Sequence, residues 1–91
     1  MHRIKNIKAF EERGKEPFTN WFNSLKDKKA KAKILTRLER ASYNNYGYHR
    51  RLGKDFIELK EKFLGGIRIY IGEDGTDIIV LLTGGNKSSH Q

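Results

Sequence analysis

Apolar residues at the start of the chain change from a strand-like to a helical spacing. Ile4, Ile7 and Phe10 lie in the short polar segment HRIKNIKAF, which predicts a first strand. Pro17 then suits the first turn of a helix. The following apolar residues lie on one helical face, at intervals of three or four, rather than in a pattern typical of base stacking. They are Phe18, Trp21, Phe22 and Leu25. We therefore predict a strand, a polar loop and a helix with an aromatic core face.

The segment DKKAKAKILTRLERA predicts a second helix with a basic outer surface. Asp27 suits its N-cap. Its apolar stripe consists of Ala30, Ile34, Leu38 and Ala41, widened by Leu35. Its other faces carry Lys28, Lys29, Lys31, Lys33, Arg37 and Arg40. Because the two helices meet near Lys26, they predict a helical hairpin.

Three alternating segments, FIELKEKF, GIRIYIG and TDIIVLLT, predict an antiparallel sheet. The Asp-Gly of GEDGT predicts a two-residue turn, which pairs Ile71 with Ile78, Ile69 with Val80 and Ile67 with Leu82. A three-residue loop at 64–66 would pair Phe63 with Ile67. The earlier segment YNNYGYHRRLGKD is predicted to be a loop. Its tyrosines and arginines could bind RNA or simply cover the sheet edge.

The predicted order is β-α-α-β-β-β, an α+β domain over residues 1–91 with an N-terminal helical hairpin on one face of the sheet. A chain of 91 residues has room for one domain. It contains no cysteine, which excludes disulfides and thiolate metal sites and fits a cytoplasmic location. No apolar segment approaches the roughly 20 residues of a membrane span, and none has the form of a signal peptide.

The charge balance adds a class of partner to this picture. Nineteen Lys and Arg oppose eleven Asp and Glu, for a net charge of +8. Such a surface attracts polyanions, and we favour nucleic acid. An acidic protein partner would satisfy the same field, and a basic surface can also simply be solvated.

The predicted register separates an apolar and a basic face of the sheet. The apolar face carries Ile57, Leu59, Phe63, Ile67, Ile69 and Ile71, and the basic face carries Lys60, Lys62, Arg68 and Tyr70. Lys62 would lie across from Arg68, and Lys60 across from Tyr70. Like charges directly opposite one another are unfavourable, so the cluster indicates a bound anion such as phosphate; an ordinary solvated face is the alternative. Glu61 falls unexpectedly on the apolar face.

Other catalytic arrangements are not supported by the sequence. His2, His49 and His90 lack metal-ligand spacing, so we expect no metal site. Ser88 and Ser89 lack a nucleophile motif, and GEDG lacks the pattern of a phosphate-binding loop.

Two C-terminal motifs, ELKEKFLGGIRIYI and IIVLLTGGNKSS, follow the helical segment WFNSLKDKKAKAKILTRLERA. In this spacing the chain resembles the RelE/ParE superfamily of bacterial type II toxins, most closely the HigB-like addiction module killer branch. That branch typically reads Glu-Leu-Arg, a short turn, Gly-Tyr-Arg-Val-Tyr, an aliphatic strand and Leu-Leu-x-Gly-Gly-Asp-Lys-Ser. The likeness covers nearly the whole chain.

The resemblance implies a RelE-like fold and a toxin that is neutralised by a cognate antitoxin, for which we expect a helix-turn-helix protein. RelE-like and HigB-like toxins cleave mRNA in the ribosomal A site by attack of the 2′-hydroxyl on the adjacent phosphodiester, without a metal or cofactor. This chemistry requires a base, cations around the phosphorane and an acid for the leaving 5′-oxygen.

The resemblance also implies roles for particular residues. Arg68 matches the arginine of Gly-Tyr-Arg and would bind the phosphate in the transition state. Lys60 takes the place of the arginine in Glu-Leu-Arg and is favoured over Lys62 to orient or deprotonate the 2′-hydroxyl. Lys87 matches the lysine of the last motif and would neutralise phosphate or assist departure of the leaving group. His90 remains as a candidate acid, with a structural role as its alternative. The expected RNA-binding residues are Arg50, Arg51, Tyr70, Lys28, Lys33 and Arg37.

The chain departs from the branch at its C-terminal part. Asn86 replaces the usual Asp, and Ile67 replaces the usual Tyr. Relatives continue into a further helix, which we expect to be missing here. Two alternatives therefore stay open: a ParE-like gyrase poison, and a non-enzymatic basic module that binds RNA or an acidic protein, as a decayed toxin would. The cationic cluster favours the endonuclease.

Overall fold

The computed structural model describes residues 5–84 as an α+β fold of two helices and one five-stranded sheet. The elements in chain order are β1 (Asn6–Ala9), α1 (Pro17–Ser24), α2 (Lys28–Ala41), β2 (His49–Arg51), β3 (Phe56–Glu61), β4 (Ile67–Asp74) and β5 (Asp77–Gly84). The strands are ordered β1-β5-β4-β3-β2 across the sheet. The predicted α+β class is confirmed, with both helices between β1 and β2.

Two features of the sheet differ from the prediction. Strand β1 pairs in parallel with β5, so the sheet is mixed rather than antiparallel. The segment predicted to be a loop after α2 contains β2, which pairs antiparallel with β3. Three polar residues, HRR, form β2, and they carry no apolar alternation from which a strand could be predicted.

The two helices form as their sequences predict. Pro17 begins α1, and Asp27 caps α2 by accepting a hydrogen bond from the Ala30 N–H at 3.1 Å. Phe18, Ala30, Ile34, Leu38 and Ala41 are buried, and Trp21, Phe22 and Leu25 pack partly buried against the core. Leu35 is 54% exposed, so the prediction that it widens the apolar stripe is wrong. Because Leu35 follows Ile34 by one residue, the Leu35 side chain projects about 100° further around the helix, away from the sheet.

The helices pack their apolar residues against one face of the sheet. That face contributes Ile57, Leu59, Ile67, Ile69, Ile71, Ile78 and Val80 to the core, with Phe63 partly buried beside them. The predicted apolar face is therefore confirmed. We call the opposite side the open face; in the central strands and the residue before β2 it carries Tyr48, Arg50, Glu58, Lys60, Arg68 and Tyr70.

The register between β3 and β4 differs from the prediction by two residues. Lys60 pairs with Arg68 and Glu58 with Tyr70, so the predicted pairs of Lys62 with Arg68 and of Lys60 with Tyr70 are wrong. Strand β3 ends at Glu61, and residues 62–66 form the connection. This five-residue connection is longer than the predicted three-residue loop. Its last three residues, Leu64, Gly65 and Gly66, have positive φ. Because a shift of two preserves the alternation, the paired side chains within β3 and β4 keep their predicted faces, whereas Lys62 lies beyond the end of β3.

The turn between β4 and β5 is also displaced by one residue. Asp74 pairs with Asp77, so Gly75 and Thr76 form the turn, and Gly75 takes the positive φ of 61° that its first position requires. Ile71 therefore pairs with Val80, and the predicted pairs between these two strands are wrong. A bulge beside Tyr70 and Ile71 shifts the register again further along β5. None of the helices described in residues 5–84 is long and apolar enough to cross a membrane.

Candidate nucleic-acid interface

Strands β2, β3 and β4 bring cationic and aromatic side chains together on the open face. One row across the strands contains Tyr48, Lys60 and Arg68, because the Lys60 N–H donates to the Tyr48 carbonyl at 3.0 Å and Lys60 pairs with Arg68. The next row contains Arg50, Glu58 and Tyr70. The predicted shared face of Lys60, Arg68 and Tyr70 is confirmed, and Arg50 joins it from β2.

A buried carboxylate lies at the centre of this face. The side chain of Glu58 is only 2% exposed, and its Oε2 accepts a hydrogen bond from the Tyr70 hydroxyl at 3.0 Å. The Nε of Arg50 lies 3.4 Å from Oε1, and the Nε of Arg68 lies 3.7 Å from Oε2. Burial, followed by the hydrogen bond to Glu58, raises the pKa of Tyr70. Glu58 therefore supplies a negative charge around which two arginines gather.

The two arginines remain available to a ligand. Arg50 and Arg68 are 64% and 58% exposed, and among the described residues Glu58 Oε1 has no hydrogen-bond donor. The carboxylate thus holds the guanidinium groups through charge, and more than half of each arginine side chain stays accessible to a ligand. Arginine offers five donors in a planar fork that matches phosphate. Glu58 was not among the predicted site residues, although its place between the core residues Ile57 and Leu59 already puts it on this face.

Lys60 is the third cation of the open face. Its pairing with Arg68 places two like charges on neighbouring strands, and its Nζ lies 5.3 Å from the centre of the Tyr48 ring. An ammonium group at that distance is stabilised by the π face of the ring. This arrangement places two cations and an exposed aromatic ring side by side.

Lys62 lies outside the strand and lines a neighbouring groove. The groove has a volume of about 440 Å³ and runs between α2, the end of β3 and the residues before β2. Its lining includes Lys33, Tyr48, Lys60, Lys62 and Phe63, and we call it the lysine groove. The groove therefore brings together three predicted site residues, Lys33, Lys60 and Lys62. Of these, only Lys60 lies on the open face of the sheet as well.

Arg37 is buried, so the prediction that it lies on the outer face of α2 is wrong, and its contact with RNA stays a prediction. Its guanidinium donates to the carbonyls of Lys60 at 2.9 Å, Tyr46 at 2.8 Å and Tyr48 at 2.5 Å. It also forms an ion pair with Glu61. The position of Arg37, three residues after Ile34, brings it close to the buried stripe. The ion pair explains how a charged Glu61 is accommodated on the apolar side of the sheet. The unexpected position of Glu61 on that side was the one signal in the sequence of a buried cationic partner.

Arg51 points to the opposite side of the sheet from Arg50, as adjacent strand residues do. Its guanidinium donates to Glu73 at 3.1 Å and to the Lys54 carbonyl at 2.9 Å. Glu73 also accepts hydrogen bonds from the Tyr46 hydroxyl and from Lys5 at 2.9 Å. These bonds, that of Tyr46 foremost, lower the pKa of Glu73 to about 2. Arg51 is thus engaged within the fold, away from the open face.

Three predicted site residues remain: Lys28, Lys87 and His90. Lys28 is exposed in the first turn of α2, and the contacts described for the open face do not include it. Lys87 and His90 lie outside the described residues. Within residues 5–84, no three His, Asp or Glu side chains cluster closely enough to hold a metal ion.

Comparison with known proteins identifies a relative of this chain. A protein of Haemophilus influenzae strain Rd, described as uncharacterized, is 33% identical over 72 residues. The matched segment covers 79% of this chain and 73% of the relative. No model of a known protein family and no solved structure matches the chain. The chain therefore belongs to the same family as this protein of Haemophilus influenzae.

Proposed function

We propose that the protein is the toxin of a type II toxin–antitoxin system and cleaves mRNA on the ribosome. The observation that supports this most directly is the cross-strand pair of Lys60 and Arg68 on the open face, with Arg50 and Tyr70 in the next row. The net charge of +8 supports a polyanionic substrate. The RelE- and HigB-like motifs supply the reaction class. The proposed place of action is the cytoplasm.

The arginines of the open face bind the reacting phosphate in this proposal. Arg68 holds its non-bridging oxygens, and Arg50 approaches from the neighbouring row. Glu58 keeps both guanidinium groups on the face before the substrate arrives, so less ordering is needed on binding. In the phosphorane, charge builds up on the same oxygens, and preorganised cations stabilise it more than they stabilise the ground state.

Lys60 is assigned to the attacking group. It lies next to Arg68, so it can orient or deprotonate a 2′-hydroxyl adjacent to the bound phosphate. The oxygen then attacks phosphorus, the bond to the 5′-oxygen breaks, and the products are a 2′,3′-cyclic phosphate and a 5′-hydroxyl. The leaving oxygen needs a proton, for which Lys87 and His90 remain the candidates outside the described residues. No metal or cofactor takes part in the proposed reaction.

Inducible expression in a bacterium, with primer extension on a translated message, tests the proposal. We expect cuts in the ribosomal A site, and their loss in the Arg68→Ala variant. Arg40→Ala is the matched control, because it removes the same charge from the exposed surface of α2. Growth arrest with DNA damage and intact message would instead identify a gyrase poison. The absence of any phenotype would favour a non-enzymatic binding module.

The proposed antitoxin provides an independent test. We expect it to cover part of the open face, because burying Arg50, Lys60 and Arg68 would block substrate phosphate. A purified complex should then lose both toxicity and most of its affinity for polyanions. A complex that keeps the polyanion affinity of the free protein would contradict this placement of the antitoxin.

A further inference from the structure

We infer that the lysine groove is a subsite for one nucleotide of single-stranded RNA, with the ring of Tyr48 stacked on the base. The inference rests on the proposed function, since it places this nucleotide beside the reacting phosphate. Lys60 connects the two sites, because it belongs both to the open face and to the groove lining.

Tyr48 combines an exposed ring with a firmly held backbone. The residue is 65% exposed. Its carbonyl nevertheless accepts two hydrogen bonds, from the buried guanidinium of Arg37 at 2.5 Å and from the Lys60 N–H at 3.0 Å. An aromatic residue on a mobile loop would lose conformational entropy when it bound a base. The backbone of Tyr48 is already held by these two hydrogen bonds before a base binds. Less entropy is therefore lost on binding, so more of the stacking energy contributes to affinity.

The charges of the groove suit the phosphate of the same nucleotide. Three lysines line it, whereas the charge of its carboxylate, Glu61, is already offset by the ion pair with Arg37. The Nζ of Lys60 lies 5.3 Å from the Tyr48 ring centre and that of Lys33 lies 5.4 Å from the Phe63 ring centre. One of these rings, that of Tyr48, is exposed, and that of Phe63 is partly buried. Cations beside accessible rings are the combination with which proteins bind single-stranded nucleic acid without reading its sequence.

The size of the groove and the exposure of the ring favour a nucleotide over an acidic peptide. A volume of about 440 Å³ falls within the range of roughly 300–1,000 Å³ typical of small-ligand sites. An acidic peptide would be attracted by the three lysines alone and would gain little from a flat ring. A nucleotide uses both, through its phosphate and its base.

The experiment separates base stacking from phosphate binding. Fluorescence anisotropy would measure the affinity of the purified protein for a labelled ten-nucleotide oligo(dA), which lacks the 2′-hydroxyl and cannot be cleaved. A deoxyribose-phosphate chain of the same length without bases is the second probe. We expect Tyr48→Ala to weaken oligo(dA) binding about 5- to 150-fold, the range for losing one base–aromatic stack, and to leave the abasic chain within about twofold.

Two further variants act as controls. Tyr48→Phe keeps the ring and should bind oligo(dA) as the wild type does. Leu35→Ala removes an exposed apolar side chain from α2 and should have no effect. If Tyr48→Ala weakens both probes equally, or neither, the subsite is wrong. Oligoglutamate, used as a competitor, tests for an acidic peptide in the groove. If Tyr48→Ala weakens oligoglutamate binding as strongly as it weakens oligo(dA) binding, the groove binds an acidic protein segment and the nucleotide subsite is wrong.

The outcomes also distinguish this inference from the proposed nuclease. Base-dependent binding through Tyr48 without any cleavage in cells would retain the subsite and overturn the nuclease. Cleavage that depends on Arg68, combined with binding that ignores Tyr48, would retain the nuclease and overturn the subsite.

Discussion

Replacing Arg37 by methionine tests whether one buried guanidinium holds α2, β3 and the segment before β2 together. Methionine preserves most of the side-chain length and removes the charge and all five donors. Three carbonyl groups then lose a hydrogen bond, and Glu61 loses its ion-pair partner while it remains mostly buried. Leaving a buried charge without its partner typically costs about 3–5 kcal/mol. We expect a loss of that size for Arg37→Met.

Such a loss would be large for a chain of this length. At about 0.05–0.15 kcal/mol per residue, 91 residues give a free energy of unfolding of roughly 5–14 kcal/mol. Urea unfolding would measure the change, followed by the fluorescence of Trp21, the single tryptophan, which packs against the core. Arg40→Met, three residues further along α2 and exposed, is the matched control and should change the free energy of unfolding by less than about 0.5 kcal/mol.

A double variant makes the test independent of whether Arg37→Met folds. Arg37→Met with Glu61→Met removes both charges, so no buried ion is left without a partner. We expect this protein to be more stable than Arg37→Met alone, because the remaining cost is that of the three carbonyls. The reasoning fails if Arg37→Met costs less than about 1 kcal/mol, or if the second substitution adds a further loss.

Three other predictions concern pH, a central hydrogen bond and salt. The pKa of Glu73 is lowered from 4.5 to about 2, so its ionised form stabilises the fold above pH 4.5. Up to about 3 kcal/mol of the free energy of unfolding is then lost between pH 4.5 and 2. Glu73→Gln should lose less stability over this range in acid unfolding. Tyr70→Phe removes the hydroxyl that donates to buried Glu58 and should cost about 1.5–3 kcal/mol in urea unfolding, and an unchanged midpoint would contradict that bond. Arg50→Ala should reduce the salt dependence of oligo(dA) affinity by about 0.7 in log–log slope, and Arg51→Ala should reduce it less; equal effects would refute the assignment of these arginines to opposite faces.

Periodicity predicted the helices and the two faces of the sheet because it reports burial directly. The stripe that begins at Phe18 and the N-cap at Asp27 are local features that tertiary contacts did not override. The alternation in β3 and β4 placed Lys60, Arg68 and Tyr70 on one face although the predicted register was wrong. A slip of two residues leaves the faces unchanged, so this part of the site did not depend on the turn.

The remaining features depend on contacts between residues distant in sequence. Leu64 adopts a positive φ of 55°, which a leucine does not signal, so the length of the turn could not be predicted. The burial of Arg37 depends on carbonyls supplied by two other segments, and its residue type predicted an exposed side chain. The parallel pairing of β1 with β5 likewise joins the two ends of the described chain.

The ends of the sheet have a consequence for how the protein behaves when concentrated. Its outermost strands, β1 and β2, contain only four and three residues, and β2 consists of His49, Arg50 and Arg51. If a second copy approached through its own β2, the arginines of the two β2 strands would repel each other. Such a short strand could also form few ladder hydrogen bonds with the second copy. Two short borders, one of them rich in arginine, therefore oppose strand-by-strand growth into aggregates.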